Sequence, residues 1–540
     1  MRATLPAPIA ANWRTRHRHL VSVDNQGARR SAGGSASALL RVGDDTDVTL
    51  RLLFQRTRYN GFPASYAPLP AFVPLDVINH TANIQPLSRD DWTLPTLIVR
   101  HRGDGWSLHS SSSYFRRKAL DVEDSTEGTA QYLFSYGYGQ PPTQPFEWTA
   151  HRNSQQFSHE TRFAINPTGA LSATAGLFYS SFKSQRDSVP IYARDILGVP
   201  GQSLMWTYNN DYNRSDASLF GELYYNFLDK FTLTLGNRFY RLQQDDHTRF
   251  DGVLYGVNLV SDTDNSTKGS NPKVALSYKP TANTLAYASA SKGFRAGGSQ
   301  TDLSPLLGGC VSAEEAARLA RIAPDTVWSY EAGGKIDLPE PGLIATAAVF
   351  YVDWKNIQQP AFIPACAFYL QGNAGAAVLK GAELELAGKV TRSLRLRAGV
   401  GYQHARITEQ GSSQPPVGAR VKQVPTWTGT LGAVYERALT ATLKGFASGD
   451  VSYVGDSISS NSTSLALVRG SYSLVNARLG VMWAKSQLSL DVSNATNRRP
   501  NLGDVGYLGY QRFEADGTTP IPQVVTMPPR SFMLQYRQRF

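Results

Sequence analysis

Asn271–Lys279 (NPKVALSYK), the turn formers Pro280-Thr281-Ala282-Asn283 and Leu285–Gly298 (LAYASASKGFRAGG) make up a unit that the rest of the chain repeats. Two alternating runs flank a tight turn, and a long polar loop, 299–325, follows. Thr326–Asp337 and Leu343–Gln358 repeat the figure about Pro339-Glu340-Pro341-Gly342. Links this short join antiparallel strands, because parallel ones need a crossover of roughly a dozen residues. Tight turns at one end and long loops at the other predict an all-β fold, a transmembrane antiparallel β-barrel.

Composition agrees. Charged residues make up 18% of the chain and aromatic ones 11%, with 46 Gly and 26 Tyr, a mixture that suits strands and turns better than helices. The most apolar segment, Ile344–Val352 (IATAAVFYV), is only about half the roughly 18–20 residues that a membrane-spanning helix needs. A mean hydropathy of −0.30 is what a barrel has when half of each strand faces water. The net charge of +11 comes from Arg and Lys scattered singly, without a basic stripe, so nucleic acid is not an expected partner. Two cysteines, Cys310 and Cys366, are too few for a disulfide scaffold and fit no zinc spacing. Met1–Ala11 (MRATLPAPIAA) lacks the uninterrupted apolar segment of an export signal, so an upstream start is expected.

The same figure runs along the chain. Residues 1–34 show no clear period and are expected to be irregular. Paired runs follow at Ser35–Val42 with Val48–Arg58, Thr93–His101 with Trp106–Lys118, Gln156–Ile165 with Leu171–Lys183, and Asn213–Asn226 with Phe231–Arg241. Beyond the opening stretch come Ala377–Lys389 with Leu394–Arg406, Gln423–Arg437 with Ala441–Tyr453, and Tyr472–Trp483 with Gln487–Asn497. Arg530–Phe540 stands alone. Alternation is plain in Leu394–Gln403, where Leu394, Leu396, Ala398, Val400 and Tyr402 oppose Arg395, Arg397, Gly399, Gly401 and Gln403. A soluble sandwich also alternates, but its strands are shorter, about five or six residues, and its two ends carry similar loops. The runs here reach the roughly 9–11 residues that cross a bilayer at barrel tilt. Arg395, Arg397, Asp491, Arg537, Asp353 and Lys355 are expected on the lumenal side, since Arg or Lys against lipid costs about 2–4 kcal/mol at midplane.

On these residues the chain resembles the TonB-dependent outer-membrane receptors. Asn271-Pro272-Lys273 with Tyr287–Gly298 (YASASKGFRAGG) is similar to the family's strand pair ending in Gly-Phe-Arg/Lys. Pro324–Lys335 (PDTVWSYEAGGK) resembles its Pro-Glu-x-x-x-x-Tyr-Glu-x-Gly-x-Lys stretch, with Asp325 where Glu is usual. Tyr351–Gln359, Asn373–Leu386, Val424–Thr428, Tyr472–Gly480 and Val492–Asn497 continue the series to Pro529-Arg530-Ser531. The resemblance implies the outer membrane of a Gram-negative bacterium and uptake of a scarce, bulky ligand, foremost a ferric siderophore. It implies as partners outer-membrane lipid, the barrel-assembly machinery and, in a full-length form, an inner-membrane energy transducer. Phe532, Leu534, Tyr536 and Phe540 look like the tail that the assembly machinery reads, although Gln538 stands where an apolar residue is usual. Family barrels have about 22 strands around a plug; about 19 runs and no plug are legible here. An odd number does not close a single-chain antiparallel barrel with both termini on one side, so about three further strands are expected upstream. The chain without them, the plug and the coupling segment is expected to be inactive alone. A passive porin-like or adhesin-like barrel, or a non-functional remnant, is the alternative.

By hairpin parity Cys310 and Cys366 fall in neighbouring outer loops. Export permits a disulfide between them if their Cα atoms come within about 7 Å. The nine histidines show no zinc-ligand spacing with supporting carboxylates. Phe294-Arg295-Ala296 continues as Gly297-Gly298 rather than as the Phe-Arg-Ala-Pro box of haem-uptake members. No metal or cofactor is expected. Ser, His and Asp fall in no nucleophile motif, and Glu314-Glu315 and Asp245-Asp246 read as solvated loop acids. No catalytic residue is assigned and an enzyme is not expected. Ligand contacts are expected in loops 59–92, 119–155, 185–212, 243–270, 299–325 and 499–528, where Tyr136, Tyr138, Trp148, Trp206 and Tyr208 offer flat amphipathic surfaces. The competing role for each ring is the aromatic girdle at the membrane interface.

Overall fold

The computed structural model describes residues 21–23, 27–61, 64–68, 70–75, 80–126, 145–165, 169–188, 191–194, 202–252, 258–299, 312, 314, 321–340, 342–363, 368–373, 375–410, 416–459, 467–504, 512–513, 520–521 and 523–539. Among them, nineteen long strands form one antiparallel sheet. The first ten are β1 (Arg29–Val42), β2 (Thr46–Tyr59), β3 (Leu87–Gly103), β4 (Trp106–Asp124), β5 (Glu147–Ile165), β6 (Leu171–Ser188), β7 (Gln202–Phe227), β8 (Phe231–Asp251), β9 (Leu259–Thr281) and β10 (Thr284–Arg295). Then come β11 (Asp325–Leu338), β12 (Leu343–Lys355), β13 (Gly375–Lys389), β14 (Leu394–Gln410), β15 (Trp427–Ala438), β16 (Leu443–Val454), β17 (Tyr472–Trp483), β18 (Ser486–Ser493) and β19 (Ser531–Gln538). Each pairs with its neighbour in the chain, from β1–β2 through to β18–β19. Every expected run is a strand.

Some strands stop short of the expected run, β15 starting at Trp427 rather than Gln423 and β18 ending at Ser493 rather than Asn497, while others run past it. β1 starts at Arg29, not Ser35, because Arg29–Gly34 continues the ladder opposite Phe54–Tyr59 although its Ser, Ala and Gly show no apolar period. At the long-loop end, residues read as loop are ladder. Asn209–Tyr212 pairs on one side with Ser184–Asp187 and on the other with Asp246–Arg249. β7 has 26 residues, more than twice the roughly 9–11 that a bilayer requires, so the wall continues past the membrane as a paired collar.

Register sorts the side chains into two faces. On β6, β7 and β8 one face carries Leu177, Leu219 and Phe239 in a single cross-strand row, and these are 50%, 61% and 57% exposed. The opposite face carries Thr174, Glu222, Arg238 and Asp216, with Lys273 of β9 bonded to Glu222 at 2.9 Å. Large apolar side chains standing in the open suit lipid contact, while the charged face needs water or polar partners. Rings border the apolar band. At the short-turn end Tyr225, Phe227, Phe231 and Tyr278 stack in series with centroids 5.6, 5.4 and 4.6 Å apart. Nearer the long loops stand Tyr330 with Tyr351, and Tyr402 with Trp427.

Arg395, Arg397, Asp491 and Arg537 lie on the polar face as expected, and Asp491 is paired with Arg478. Asp353 and Lys355 do not. They share a face with Val349 and Tyr351, on the lipid side of β12, at its long-loop end. They pair along the strand at 3.7 Å, and the position beyond the Tyr351 girdle keeps both out of hydrocarbon.

Curvature is visible in the loops. Ala64–Tyr66, which follows β2, pairs with Gln523–Thr526, which precedes β19; Asn501–Asp504 completes a three-stranded cap. Ala67, Phe72 and Val524 form its dry core, with Leu467 against it. Loops from opposite ends of the strand series meet only if the wall curls round. The packing is therefore that of a barrel wall with a polar bore, not of two sheets on a shared dry interior.

Candidate functional site at the long-loop mouth

The polar face of β3–β8 gathers aromatic and charged groups where the strands rise into the collar. Trp148 stands near the start of β5 and is 8% exposed. Arg186 of β6 lies between two rings, its guanidinium carbon 5.2 Å from the Trp148 centroid and 5.3 Å from that of Tyr208. Phe250 extends the ladder, 5.0 Å from Tyr208. The sheet register makes this possible: Arg152, Arg186, Asn210 and Thr248 form one cross-strand row on four adjacent strands. Residues far apart in the chain thus stand side by side.

Charge is arranged unevenly there. Arg117 holds Asp90 in a two-point contact of 2.7 and 3.0 Å, and Ser88 donates to Asp121 at 2.7 Å. Asn210 donates to Asp246 at 2.9 Å and to the Thr248 hydroxyl at 2.8 Å. Arg152 and Arg186 face each other directly across β5 and β6. Like charges so placed repel, and an anion between them would relieve the repulsion. A guanidinium over a Trp or Tyr face gains about 0.5–2 kcal/mol, most when shielded from water.

Across the mouth the wall is dry. Ile357, Ala377, Ala405, Ile407 and Val421 make a buried cluster, with Trp354 and Val424 packed on it. The stretch Gly418–Val421 is tied to β14 by Gly418 N to Ile407 O at 2.8 Å and Ile407 N to Ala419 O at 2.9 Å. Arg295 binds buried Asp325 and the Gln358 carbonyl beside this cluster, bracing β10 against β11. Lower in the bore a recess of about 560 Å3 is lined by Arg162, Glu222, Arg238 and Lys273 among others.

Of the ring residues expected to meet a ligand, Trp148 and Tyr208 therefore sit on the lumenal face, not in the girdle, and on strands rather than loops. Trp206 lies on β7 with its backbone opposite Ile191. Tyr136, Tyr138, Cys310, Cys366 and Phe540 lie outside the described residues. Phe532, Leu534 and Tyr536 are on the lipid face of β19, in line with Leu488 and Leu490. Arg152 and Arg186 escaped the sequence reading. Their only local signal is phase, since Ser184, Arg186 and Ser188 alternate with Lys183, Gln185 and Asp187 in a stretch polar on both sides.

Residues 24–495 match a family profile described as TonB dependent receptor-like, beta-barrel. The metal-pseudopaline receptor CntO of Pseudomonas aeruginosa PAO1 is 29% identical over 399 residues, 70% of this chain and 51% of that protein. The chain thus spans about half the length of the curated relatives it matches. Among solved structures, the ferric yersiniabactin uptake receptor FyuA from Yersinia pestis superposes with a TM-score of 0.71 at 15% identity, over 95% of this chain and 71% of that one. The siderophore receptor PiuA from Acinetobacter baumannii gives 0.66 at 16% identity, over 94% and 74%. With the profile covering most of its length, the chain belongs to the TonB-dependent receptor family, as an outer-membrane β-barrel of the Gram-negative type.

Proposed function

We propose that this chain forms the wall and collecting mouth of an uptake receptor for a metal chelate, foremost a ferric siderophore. The observation that carries the reading is Arg186 held between Trp148 and Tyr208, with Arg152 in direct register, at the extracellular mouth of a barrel of this family. A guanidinium between electron-rich rings, with a second in register beside it, suits a flat, anionic ligand. The rings exclude water and the forks bind carboxylate, catecholate or hydroxamate oxygens. The work of the site is capture and passage, not bond making, so no residue takes a catalytic role. The energy transducer of the inner membrane acts on the full-length form, and the assembly machinery reads the β19 tail at Phe532, Leu534, Tyr536 and Phe540. By their names, CntO takes a metal–pseudopaline complex and FyuA ferric yersiniabactin, which is the class of cargo proposed here.

Binding of iron-labelled ferric catecholate, hydroxamate and carboxylate chelates to outer membranes carrying the chain tests this. At least one chelate should bind, and Arg186→Ala or Trp148→Ala should weaken it about tenfold, the loss of roughly 1–2 kcal/mol of cation–π and charged hydrogen-bond energy. No binding of any chelate, or equal binding by both variants, would rule the reading out.

A further inference from the structure

Above the apolar band, the outer face of β1–β4 carries a block of cations. Register puts Arg30, Arg58 and Arg89 in one cross-strand row, on the face that also bears Leu50, Leu52 and Leu97. The next row toward the band is Ala32, Arg56, Asp91 and Lys118, and the one after it Gly34, Phe54, Thr93 and Arg116. Tyr114 and Phe157, directly opposite each other, stand below Arg116 at the edge of the band. All six cations are exposed. Arg56 is bonded to both oxygens of Asp91 at 3.1 and 3.2 Å; among the described residues the other five have no carboxylate partner. Arginines directly opposite one another across strands destabilise a sheet, and the first row places three together. Farther round the wall the same face is built differently. High on β7–β9 it mixes the two signs, Asp211, Asp245, Asp262 and Asp264 standing with His247, Arg249 and the directly opposed Arg241 and Lys268. Cations unbalanced by carboxylates therefore mark the β1–β4 sector and not a uniform rim.

We propose that this sector binds the phosphorylated headgroup of an outer-leaflet lipid, whose acyl chains lie on Leu50, Leu52, Leu97 and Tyr114. Guanidinium forks match phosphate oxygens two at a time, and a multiply charged headgroup neutralises the Arg30–Arg58–Arg89 row. Apolar surface immediately beneath the cations selects a lipid over a free anion, which has no use for it. The proposal is independent of what the mouth collects.

The full chain in phosphatidylcholine nanodiscs doped with lipid A tests it, with bound lipid per barrel read by native mass spectrometry. The pair Arg58→Gln and Arg89→Gln should weaken retention about 30-fold, from two cations at the membrane surface. Arg58→Lys with Arg89→Lys, which keeps charge but loses the fork, should fall between. Arg241→Gln with Arg249→Gln on β8 should change nothing. Dephosphorylated lipid A should not be retained, and inorganic phosphate should not displace the intact lipid. The folded band of unheated samples on a gel separates loss of binding from loss of the barrel. Equal retention by the Gln pair, equal retention of the dephosphorylated lipid, or displacement by inorganic phosphate would each overturn the proposal.

Discussion

β6, β7 and β8 live in two surroundings, and the contrast between them explains most of what the sequence hides. Near the short turns these strands have a lipid face of Leu177, Leu219 and Phe239 and a lumenal face of Thr174, Glu222 and Arg238. In the collar the outer face turns polar, with Gln185, Asp211 and His247, while the inner face sets Arg186, Asn210 and Thr248 among the rings of Tyr208 and Phe250. The hydrogen-bond ladder runs unbroken through both parts. Alternation is thus a record of the bilayer, not of strand formation, and it stops where the membrane stops while the sheet continues.

The sharpest way to break that contrast is to place the same charge in both parts of one strand face. Leu177→Arg, within the apolar band, should destabilise the barrel by about 2–4 kcal/mol, whereas Gln185→Arg, farther along the same face of β6, should stay within about 0.5 kcal/mol. Urea unfolding in lipid, followed by tryptophan fluorescence, measures both; equal costs would mean that the collar is also in hydrocarbon. Next in size is the loss of a specific partner in the collar, where side-chain pairs add to the backbone ladder. Asp325 has a side chain only 3% exposed and accepts from Arg295 and from the Gln358 backbone N–H. Asp325→Ala should cost about 1.5–3 kcal/mol, the range for hydrogen bonds to a charged group, and should speed hydrogen exchange at Gln358. The smallest effect belongs to the exposed outer pair, since Asp91→Ala frees Arg56 in water and should cost about 0.2–1 kcal/mol in the same unfolding assay.

The readings that failed did so for the same physical reason. Residues 185–188 and 243–251 were expected in loops, yet they are ladder, paired through backbone groups that carry no side-chain signature. Asp353 and Lys355 were expected in the bore because charge facing lipid is costly. They are on the lipid-side row, and what spares them is height, not direction. Trp148 and Tyr208 were picked out as rings, but the guanidinium between them was not, because a lone Arg in a polar stretch looks like any solvated residue.

From its own pattern the sequence determined the hairpin order, the tight turns and which side chains meet lipid in the band, because each of these follows from a period of two or from a turn residue a few positions away. Only the tertiary structure decided that Trp148, Arg186 and Tyr208 share one contact, that Arg30, Arg58 and Arg89 stand in a row, and that the segment after β2 meets the segment before β19. Such meetings depend on how neighbouring strands align and how far the wall curls, and both are set by backbone hydrogen bonds formed along the whole sheet, which no short stretch of chain encodes.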